Sequence, residues 1–598
     1  MKLSKFSLVL LWLLLVDVLF CMPILENLNS LGRGDWDQMF FYDEVPQITA
    51  LTYRQFPLWN PYYCGGVTMI GNPQNRFISP LVFLNIIFGV VVGLKLRIIL
   101  YSFWGMLGMY FLCKHFKVSD LAALVGSTLF IVNGKFTLHL TEGHMWMLSV
   151  AQLPFVFLFF LKGLKDSKYL FISAFFLSLI FYEGGIYVFP FTCLFLAVFT
   201  FFHALQEKKM KPVLDLLFLL LLCMLLSGPK LFPTLEFLSQ YPRLTPTGGA
   251  IPLASLYSLF IDKAQSMYRL YEPFPFLGWW NVGAYVGIVP AILSFLSLAL
   301  VKQKWPLVVT GIFFFFLGVG NFASFSPWAI LHKFPIFNNM WVPSRAFIFL
   351  IFIFSILIAL YLDGLKPRFA GIFSGTRKFV SDRGKLSNEI SIARNIFLFI
   401  LLIFLVLDLL SVTNPIFREA FREFQINDKF RIKWDTARSF AANSFSQITV
   451  SRDFQFGYGG WSAMHPVLLE NKGTVNGYES IPVKRDAVTP ENDKDYKGEF
   501  FLQQGNGDVQ LSYWSPNKLI FQSNLIAPDT LIINQNFDKN WKTNFPNKIL
   551  PLNGLLSLEL AQGHKKIVIY YLPTSFVLGV GALAAGGILC IFFPCRKT

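Results

Sequence analysis

Four carboxylates lie within eleven residues in the segment GDWDQMFFYDE, directly after the first long apolar stretch of the chain. They are Asp35, Asp37, Asp43 and Glu44. A carboxylate that is held in place can act as a general base and remove a proton from a hydroxyl group. A structural role is equally consistent with the residue types, because Asp35 and Gln38 have capping-box spacing and the other three acids could form a solvated helix face. Both interpretations stay open at this point.

Aromatic and amide side chains crowd the segment that follows, RQFPLWNPYYCGGVTMIGNPQNRFISP. Such side chains stack on sugar rings and form hydrogen bonds with hydroxyl groups. We therefore predict that Trp59 and Asn60 bind substrate, together with the neighbouring acid Glu44.

Two further titratable residues lie at the ends of apolar segments, His144 in TEGHMW and Glu183 in YEGG. Each could be a helix cap or a buried hydrogen-bonding group. Alternatively, His144 could contact a phosphate or an acceptor, and Glu183 could line a sugar pocket. The seven histidines are widely spread and form no HExxH motif, so no cofactor is predicted, and a divalent cation is compatible with the sequence without being indicated by it.

The elements that must position these residues are membrane helices. The 598-residue chain is 54% hydrophobic and 14% charged, and it contains repeated apolar stretches of about 20 residues, the length that crosses a bilayer. This pattern predicts a polytopic membrane protein with about twelve spans. They begin near Phe6, Leu94, Leu121, Trp146, Tyr169, Ile186, Val213, Val282, Leu307, Ala346, Asn395 and Ser575.

The net charge of +16 comes from short Lys and Arg clusters between the apolar stretches, which indicates membrane topology rather than nucleic-acid binding. The apolar segment at residues 80–93 is too short for an ordinary span, so we predict that it does not cross the membrane. Lys95 and Arg97 are then expected to snorkel at the outer face. This topology places both termini in the cytoplasm.

Composition divides the chain into three regions. Residues 1–413 are predicted to form the transmembrane domain, with residues 26–93 as a first outer loop that carries juxtamembrane helices. Residues 414–573 contain alternating strand patterns and predict an extracytoplasmic, mainly-β domain of β-sandwich type, tethered by spans on both sides. Residues 574–598 form a final transmembrane helix and a cytoplasmic tail.

Several motifs together resemble the YfhO-like family of bacterial membrane proteins, which is related to GT-C type glycosyltransferases. These motifs are DWDQMFFYDE, FPLWNPYYCGG, TEGHMW, YEGGIYVFP, GPKLFPTLEFLSQYPR, VPSR, GYESIPVKR and GHKKIVIYYLP. The resemblance implies an enzyme of the bacterial cytoplasmic (inner) membrane with a GT-C-like fold. It would transfer a sugar from a polyprenyl-phosphate donor to a surface glycan or glycolipid outside the cell, and a separate synthase would load the carrier.

In the families that this chain resembles, the key acid lies in the first outer loop. The resemblance therefore implies Asp35 as the base, with Asp37 as the second candidate. The carrier phosphate would need cations on the outer face, where Lys230, Arg243 and Arg345 are available, although each could also be an ordinary interfacial anchor.

Two other classes of function remain open. A transporter or flippase of lipid-linked glycan intermediates would place ionisable residues at mid-membrane depth and use discontinuous helices. A non-catalytic glycan-assembly protein would bind glycans without reacting, so carboxylate substitutions would leave product formation intact.

Overall fold

The computed structural model of the protein describes residues 4–271, 278–365, 383–421, 444–453, 463–478 and 480–592. Its helices are α1 (Lys5–Leu25), α2 (Trp36–Leu51), α3 (Phe83–Phe88), α4 (Val90–His115), α5 (Asp120–Ile131), α6 (Gly134–Glu142), α7 (Leu153–Gly163), α8 (Lys168–Tyr182), α9 (Val188–Glu207), α10 (Lys211–Leu226), α11 (Gly228–Gln240), α12 (Leu256–Phe260), α13 (Trp279–Val282), α14 (Ile288–Ser297), α15 (Val301–Val319), α16 (Pro327–Leu331), α17 (Phe347–Asp363), α18 (Arg383–Phe421), α19 (Met464–Leu469) and α20 (Thr574–Phe592).

Within these described ranges, eight helical segments are long and apolar enough to cross a membrane. They are Lys5–Leu25, Val90–His115, Asp120–Glu142, Met145–Gly163, Val188–Glu207, Pro343–Asp363, Ser391–Phe421 and Thr574–Ile591. A ninth arises if α10 and α11, which meet at an angle of 86°, form one broken span. The predicted class of α-helical polytopic membrane protein is confirmed, whereas the number of twelve spans stays a prediction.

The remaining predicted stretches also fall on helices, but these helices are short or interrupted. Helix α8 and the segment Ile288–Leu300 are shorter than a usual span, and α15 contains a break in helical geometry at Lys304. The segment at residues 80–93 forms a short 3₁₀ turn and the six-residue helix α3, which cannot reach across a bilayer.

The C-terminal region is rich in β-structure, as predicted. The strands are β1 (Trp59–Asn60), β2 (Val67–Thr68), β3 (Ser446–Ile448), β4 (Lys472–Thr474), β5 (Phe500–Leu502), β6 (Gly507–Ser515), β7 (Lys518–Leu525), β8 (Asp529–Asn536), β9 (Trp541–Thr543), β10 (Leu550–Leu552), β11 (Leu555–Leu560) and β12 (Gly563–Tyr571). Two antiparallel four-stranded sheets, ordered β10-β11-β8-β5 and β6-β7-β12-β9, share one apolar core. That core is the hydrophobic interior expected of a sandwich.

The β-region is not merely tethered to the membrane helices, because the first loop is built into it. Trp59, Leu58 and Ile70 belong to the apolar core that the two sheets share. Backbone hydrogen bonds also cross between the regions, for example from the Cys64 N–H to the Thr474 carbonyl oxygen at 2.9 Å. The first loop and the β-region therefore form one packed unit.

Helix α18 continues to Phe421, so the predicted boundary at residue 413 falls inside a helix, and the domain division stays a prediction. One sequence-based expectation about position is wrong. Lys95 and Arg97 do not snorkel, because both side chains are fully buried. Lys95 donates hydrogen bonds to the carbonyl oxygens of Leu28 and Ser30, and Arg97 pairs with carboxylates, so internal partners replace the interface.

Candidate active site at the start of helix α2

The segments GDW and TEGH pack directly against each other. The Asp35 N–H donates to the Glu142 carbonyl oxygen at 2.8 Å. Gly143 has a positive φ of 96°, and a Cβ atom there would lie 2.7 Å from the Trp36 nitrogen. Only glycine allows this close approach, so a local backbone constraint brings Asp35 beside His144.

Asp35 occupies the N-cap position of α2, but the predicted capping box does not form. Its carboxylate makes no capping hydrogen bond, and the Gln38 amide instead donates to Tyr42 at 2.9 Å and to the Tyr478 carbonyl oxygen at 3.0 Å. The Asp35 side chain is 18% exposed, and its Oδ2 lies 3.4 Å from Nε2 of His144. The carboxylate is therefore available for chemistry at a fixed point.

His144 belongs to a histidine pair that sequence analysis missed. Its Nδ1 lies 2.7 Å from Nδ1 of His139, which α6 holds in a fully buried position. Burial lowers the pKa of His144 below its ordinary value, while the contact with Asp35 acts in the opposite direction. The lowered pKa favours the neutral imidazole of His144 at physiological pH.

Arg345 lies near the same site. Its guanidinium stacks over the ring of Tyr187 at 4.1 Å and donates from Nη2 to Asn281 Oδ1 at 2.9 Å. It also interacts electrostatically with Asp35 and with Arg243. Because the stack and the amide fix its plane, Arg345 is a positioned positive charge within electrostatic range of Asp35.

Asp37, the second candidate base, points elsewhere. Its two carboxylate oxygens accept hydrogen bonds from the backbone N–H groups of Met464 and His465, at 2.9 and 3.0 Å. These groups form the start of α19, so Asp37 caps that helix from a buried position. Glu44 is on the same side of α2, where its Oε2 lies 3.6 Å from Nε2 of His465.

Trp59 and Asn60, the predicted sugar contacts, lie inside the protein. Trp59 is 1% exposed, donates from Nε1 to Gln535 at 2.8 Å, and packs against Trp541 and Tyr571. Asn60 is buried and accepts from the Tyr62 N–H in a local turn. Both side chains are thus buried and already engaged, Trp59 against the β-region and Asn60 within its own turn, and their role as substrate contacts stays a prediction.

Glu183 belongs to a buried charge network that also contains Asp43, Arg76 and Arg97. Arg97 bridges Asp43, at 2.9 Å, and Glu183, while Arg76 pairs with Asp43 at 2.8 Å. All four side chains are at most 2% exposed. The network locks the first loop to the helices, so Asp43 is not solvated, and Glu183, at the C-cap position of α8, also pairs with Arg97.

Lys230 is also buried, and it donates to the carbonyl oxygens of Asn75 and Phe181. It is therefore not displayed for a carrier phosphate. Arg243 is half-buried and lies close enough to Arg345 to interact with it electrostatically. Of the three predicted cations, Arg345 is the one for which an electrostatic interaction with Asp35 is described. Across the described parts of the chain, no group of three or more His, Cys, Asp or Glu side chains has an arrangement that could hold a metal ion.

Comparison with known families defines the class of the protein. Residues 80–416, more than half of the chain, match the profile of a family described as "6-pyruvoyl-tetrahydropterin synthase related domain; membrane protein". The chain belongs to this family of membrane proteins, which confirms the resemblance to YfhO-like membrane proteins. A search of curated protein sequences found no match.

Solved structures with a similar arrangement include two of an archaeal oligosaccharyltransferase from Archaeoglobus fulgidus. The apo form has a TM-score of 0.43 at 13% identity, and the complex of AglB with an inhibitory peptide and a dolichol-phosphate has 0.39 at 16%. Each alignment covers 77% of this chain and 63% of the archaeal chain, so this chain spans less than two thirds of those proteins. ArnT from Cupriavidus metallidurans, bound to undecaprenyl phosphate, has a TM-score of 0.39 at 10% identity over 79% of this chain and 90% of that chain.

Proposed function

We propose that the protein is a membrane glycosyltransferase in which Asp35 is the general base. The donor is a sugar linked to a polyprenyl phosphate, and the acceptor is a hydroxyl group of a surface glycan or glycolipid on the extracytoplasmic face. The observation that carries the proposal is the geometry of Asp35, a partly exposed carboxylate contacted by one neutral histidine, with a positioned arginine within electrostatic range.

The chemistry requires few groups. The acceptor oxygen attacks the anomeric carbon of the donor, the bond from that carbon to the phosphate oxygen breaks, and the acceptor proton passes to Asp35. The polyprenyl phosphate leaves with the bonding electron pair, and Arg345 stabilises its negative charge. Because one base and one displacement suffice, the anomeric configuration is inverted.

An apolar cavity near Arg345 supports a lipid-linked donor. The cavity has a volume of about 510 Å³ and lies between α12, α14, α15 and α17. On α17 it is lined from the first turn onwards by Leu350, Phe354 and Ile358. The 3₁₀ turn that carries Arg345 directly precedes this helix, so a phosphate beside Arg345 would have its prenyl chain within reach of the cavity.

The first test compares the surface-glycan sugars of cells that carry the wild-type gene, a deletion, Asp35→Asn or Asp37→Asn, with matched amounts of protein in the membrane. We expect the deletion and Asp35→Asn to lose the same sugar, the latter by about 10²- to 10⁴-fold in transfer rate. Asp37→Asn is the matched control, because it changes the same chemical group two residues away and only weakens the cap of α19.

The outcomes separate the parts of the proposal. A normal sugar in Asp35→Asn, combined with loss in the deletion, would contradict the base and favour transport or glycan assembly. An unchanged glycan in the deletion would contradict glycosyl transfer to the surface altogether.

One observation favours transport as the second candidate. The 86° break between α10 and α11 is a discontinuous helix, and transporters use such breaks at their substrate sites. A flippase would, however, work without an acceptor base. Loss of the surface sugar in the deletion but not in Asp35→Asn, with lipid-linked sugar accumulating on the inner leaflet, would support transport instead.

A further inference from the structure

The two histidines beside Asp35 constrain each other's protons. His139 and His144 face each other through their Nδ1 atoms at 2.7 Å, so one of these atoms must carry the hydrogen and the other must accept it. The Nε2 atom of His144 faces Asp35 at 3.4 Å, a contact of the kind that shortens when substrate binds. The Nε2 atom of His139 is buried without a hydrogen-bond partner.

We propose that His139 is a positioning residue that fixes the tautomer of His144 and thereby orients the Asp35 carboxylate. This inference rests on the proposed function, in which Asp35 is the base. In this arrangement His139 donates from Nδ1 to Nδ1 of His144, and His144 donates from Nε2 to Oδ2 of Asp35. Oδ1 of Asp35 is then the oxygen that takes the proton from the acceptor.

The opposite arrangement is disfavoured by charge. If His144 carried its hydrogen on Nδ1, the lone pair of its Nε2 would point at the negative Asp35 carboxylate, so that two acceptors would face each other. The same arrangement would leave the N–H at Nε2 of His139 buried without an acceptor, which costs free energy. The Asp35 carboxylate therefore favours the arrangement in which His139 carries its hydrogen on Nδ1 and His144 carries its hydrogen on Nε2.

A second proton on either ring is opposed by a nearby cation. Arg345 interacts electrostatically with His139 and with His144. The pair can therefore serve as a fixed donor to Asp35 when both imidazoles are neutral and a single hydrogen lies between their Nδ1 atoms.

The backbone holds the two rings together independently of these protons. The His144 N–H donates to the His139 carbonyl oxygen at 2.9 Å, and the left-handed conformation of Gly143 folds the chain back. Trp146 packs against both imidazoles, with ring centroids 4.9 Å from His139 and 5.7 Å from His144. Substitutions at His139 can therefore test its proton without removing the scaffold around it.

The test uses His139→Asn, His139→Gln and His139→Leu in the full-length protein. An asparagine amide nitrogen falls near the position of a histidine Nδ1, whereas a glutamine amide nitrogen falls near Nε2, so only Asn can replace the donor to His144. At matched membrane levels we expect His139→Asn to keep the surface sugar within a few-fold of wild type, and the Gln and Leu variants to lose about 10- to 100-fold in transfer rate.

The second measurement is independent of any substrate. ¹⁵N NMR spectra of purified, histidine-labelled protein report which nitrogen of His144 carries the hydrogen, and His144→Gln assigns its signals. We expect the hydrogen on Nε2 in the wild type and in His139→Asn, and a mixture of tautomers in His139→Leu. A hydrogen on Nδ1 in the wild type, or equal activity of the Asn and Gln variants, would overturn the inference.

These readouts also separate the inference from the proposed function. If Asp35→Asn leaves the glycan unchanged while His144 carries its hydrogen on Nε2, the proposed function fails and the tautomer assignment holds. If Asp35→Asn abolishes transfer while His144 carries its hydrogen on Nδ1, the function holds and the role of His139 fails.

Discussion

Asp35 and Asp43 lie two helical turns apart, at the start and in the middle of α2, yet their surroundings differ completely. Asp43 is 2% exposed and accepts hydrogen bonds from Arg76, Arg97 and Asn85 at 2.8 to 2.9 Å. Asp35 is 18% exposed, and among the residues that the structure describes its one ion-pair contact is with His144 at 3.4 Å. One helix thus carries a carboxylate whose oxygens are engaged by several strong donors and another that has few donors.

The difference separates a structural acid from a chemical one. A carboxylate held by two buried arginines supplies their counter-charge, so its role is structural. A carboxylate contacted by a neutral imidazole keeps a free lone pair and can accept a proton. The number of strong donors around an acid, more than its place in a motif, indicates which role it has.

The largest effect that the comparison predicts is structural. Asp43→Asn should destabilise the protein by about 3–5 kcal/mol, because it leaves Arg76 and one side of Arg97 uncompensated in the interior. We expect the variant to be nearly absent from membranes by immunoblot, while Asp35→Asn accumulates normally. The double variant Asp43→Asn/Arg76→Met should recover part of the protein, and equal accumulation of the Asn variants at positions 35 and 43 would contradict the contrast.

A smaller effect is expected at the cation near Asp35. Arg345→Lys keeps the charge but loses the planar stack on Tyr187 and the paired hydrogen bonds to Asn281, so transfer should fall about tenfold without loss of protein. Arg243→Lys is the control and should change transfer by less than about twofold. Quantified surface-glycan sugar measures both, and equal effects of the two variants would show that Arg345 is not positioned.

The smallest effect concerns Glu499 in the β-region, a mostly buried carboxyl that has no cation partner among the contacts described for it. Burial raises its pKa from 4.5 to about 7. The folded protein then binds more protons than the unfolded chain between these values, so stability falls as the pH rises through this window. Glu499→Gln should remove this dependence and stabilise the protein by about 1–2 kcal/mol near pH 8.

Thermal unfolding of the purified protein between about pH 5 and pH 8 measures this effect. The control is Glu491→Gln, because hydrogen bonds from Ser446 and Lys472 hold the pKa of Glu491 below its ordinary value. The Glu491 carboxylate therefore stabilises the folded protein at neutral pH, and this contribution is lost as the pH falls. Glu491→Gln should accordingly be slightly destabilised at neutral pH. If both variants were stabilised, or both destabilised, the result would contradict the inference that a cation partner makes a carboxylate stabilising.

Composition and local pattern predicted the membrane helices, the β-rich region and the acid segment around Asp35. Local sequence succeeded there because apolar length and strand alternation report directly on burial. It also placed TEGH near a helix end, which is where His144 lies. Arg345 was found because VPSR directly precedes an apolar stretch.

Residues whose role depends on distant partners were not predictable. Trp59 and Asn60 have the composition of a sugar-binding loop, but aromatic and amide groups equally suit a packed interface, and Gln535, the partner of Trp59, is 476 residues away in sequence. His139 lies inside an apolar helix, where a histidine resembles any buried hydrogen-bonding residue. The residue types alone did not separate Asp35 from Asp37, which only the resemblance ranked, because the helix that Asp37 caps begins at Met464.

The burial of Trp59 in the β core has a consequence for how the chain matures. The ribosome incorporates Trp59 476 residues before it reaches Gln535. At elongation rates of about 5 to 20 residues per second this interval is roughly 25 to 95 seconds. During that time Leu58, Trp59 and Ile70 have no core to enter, so the nascent first loop depends on membrane-surface contacts or chaperones until the last third of the protein has been synthesised.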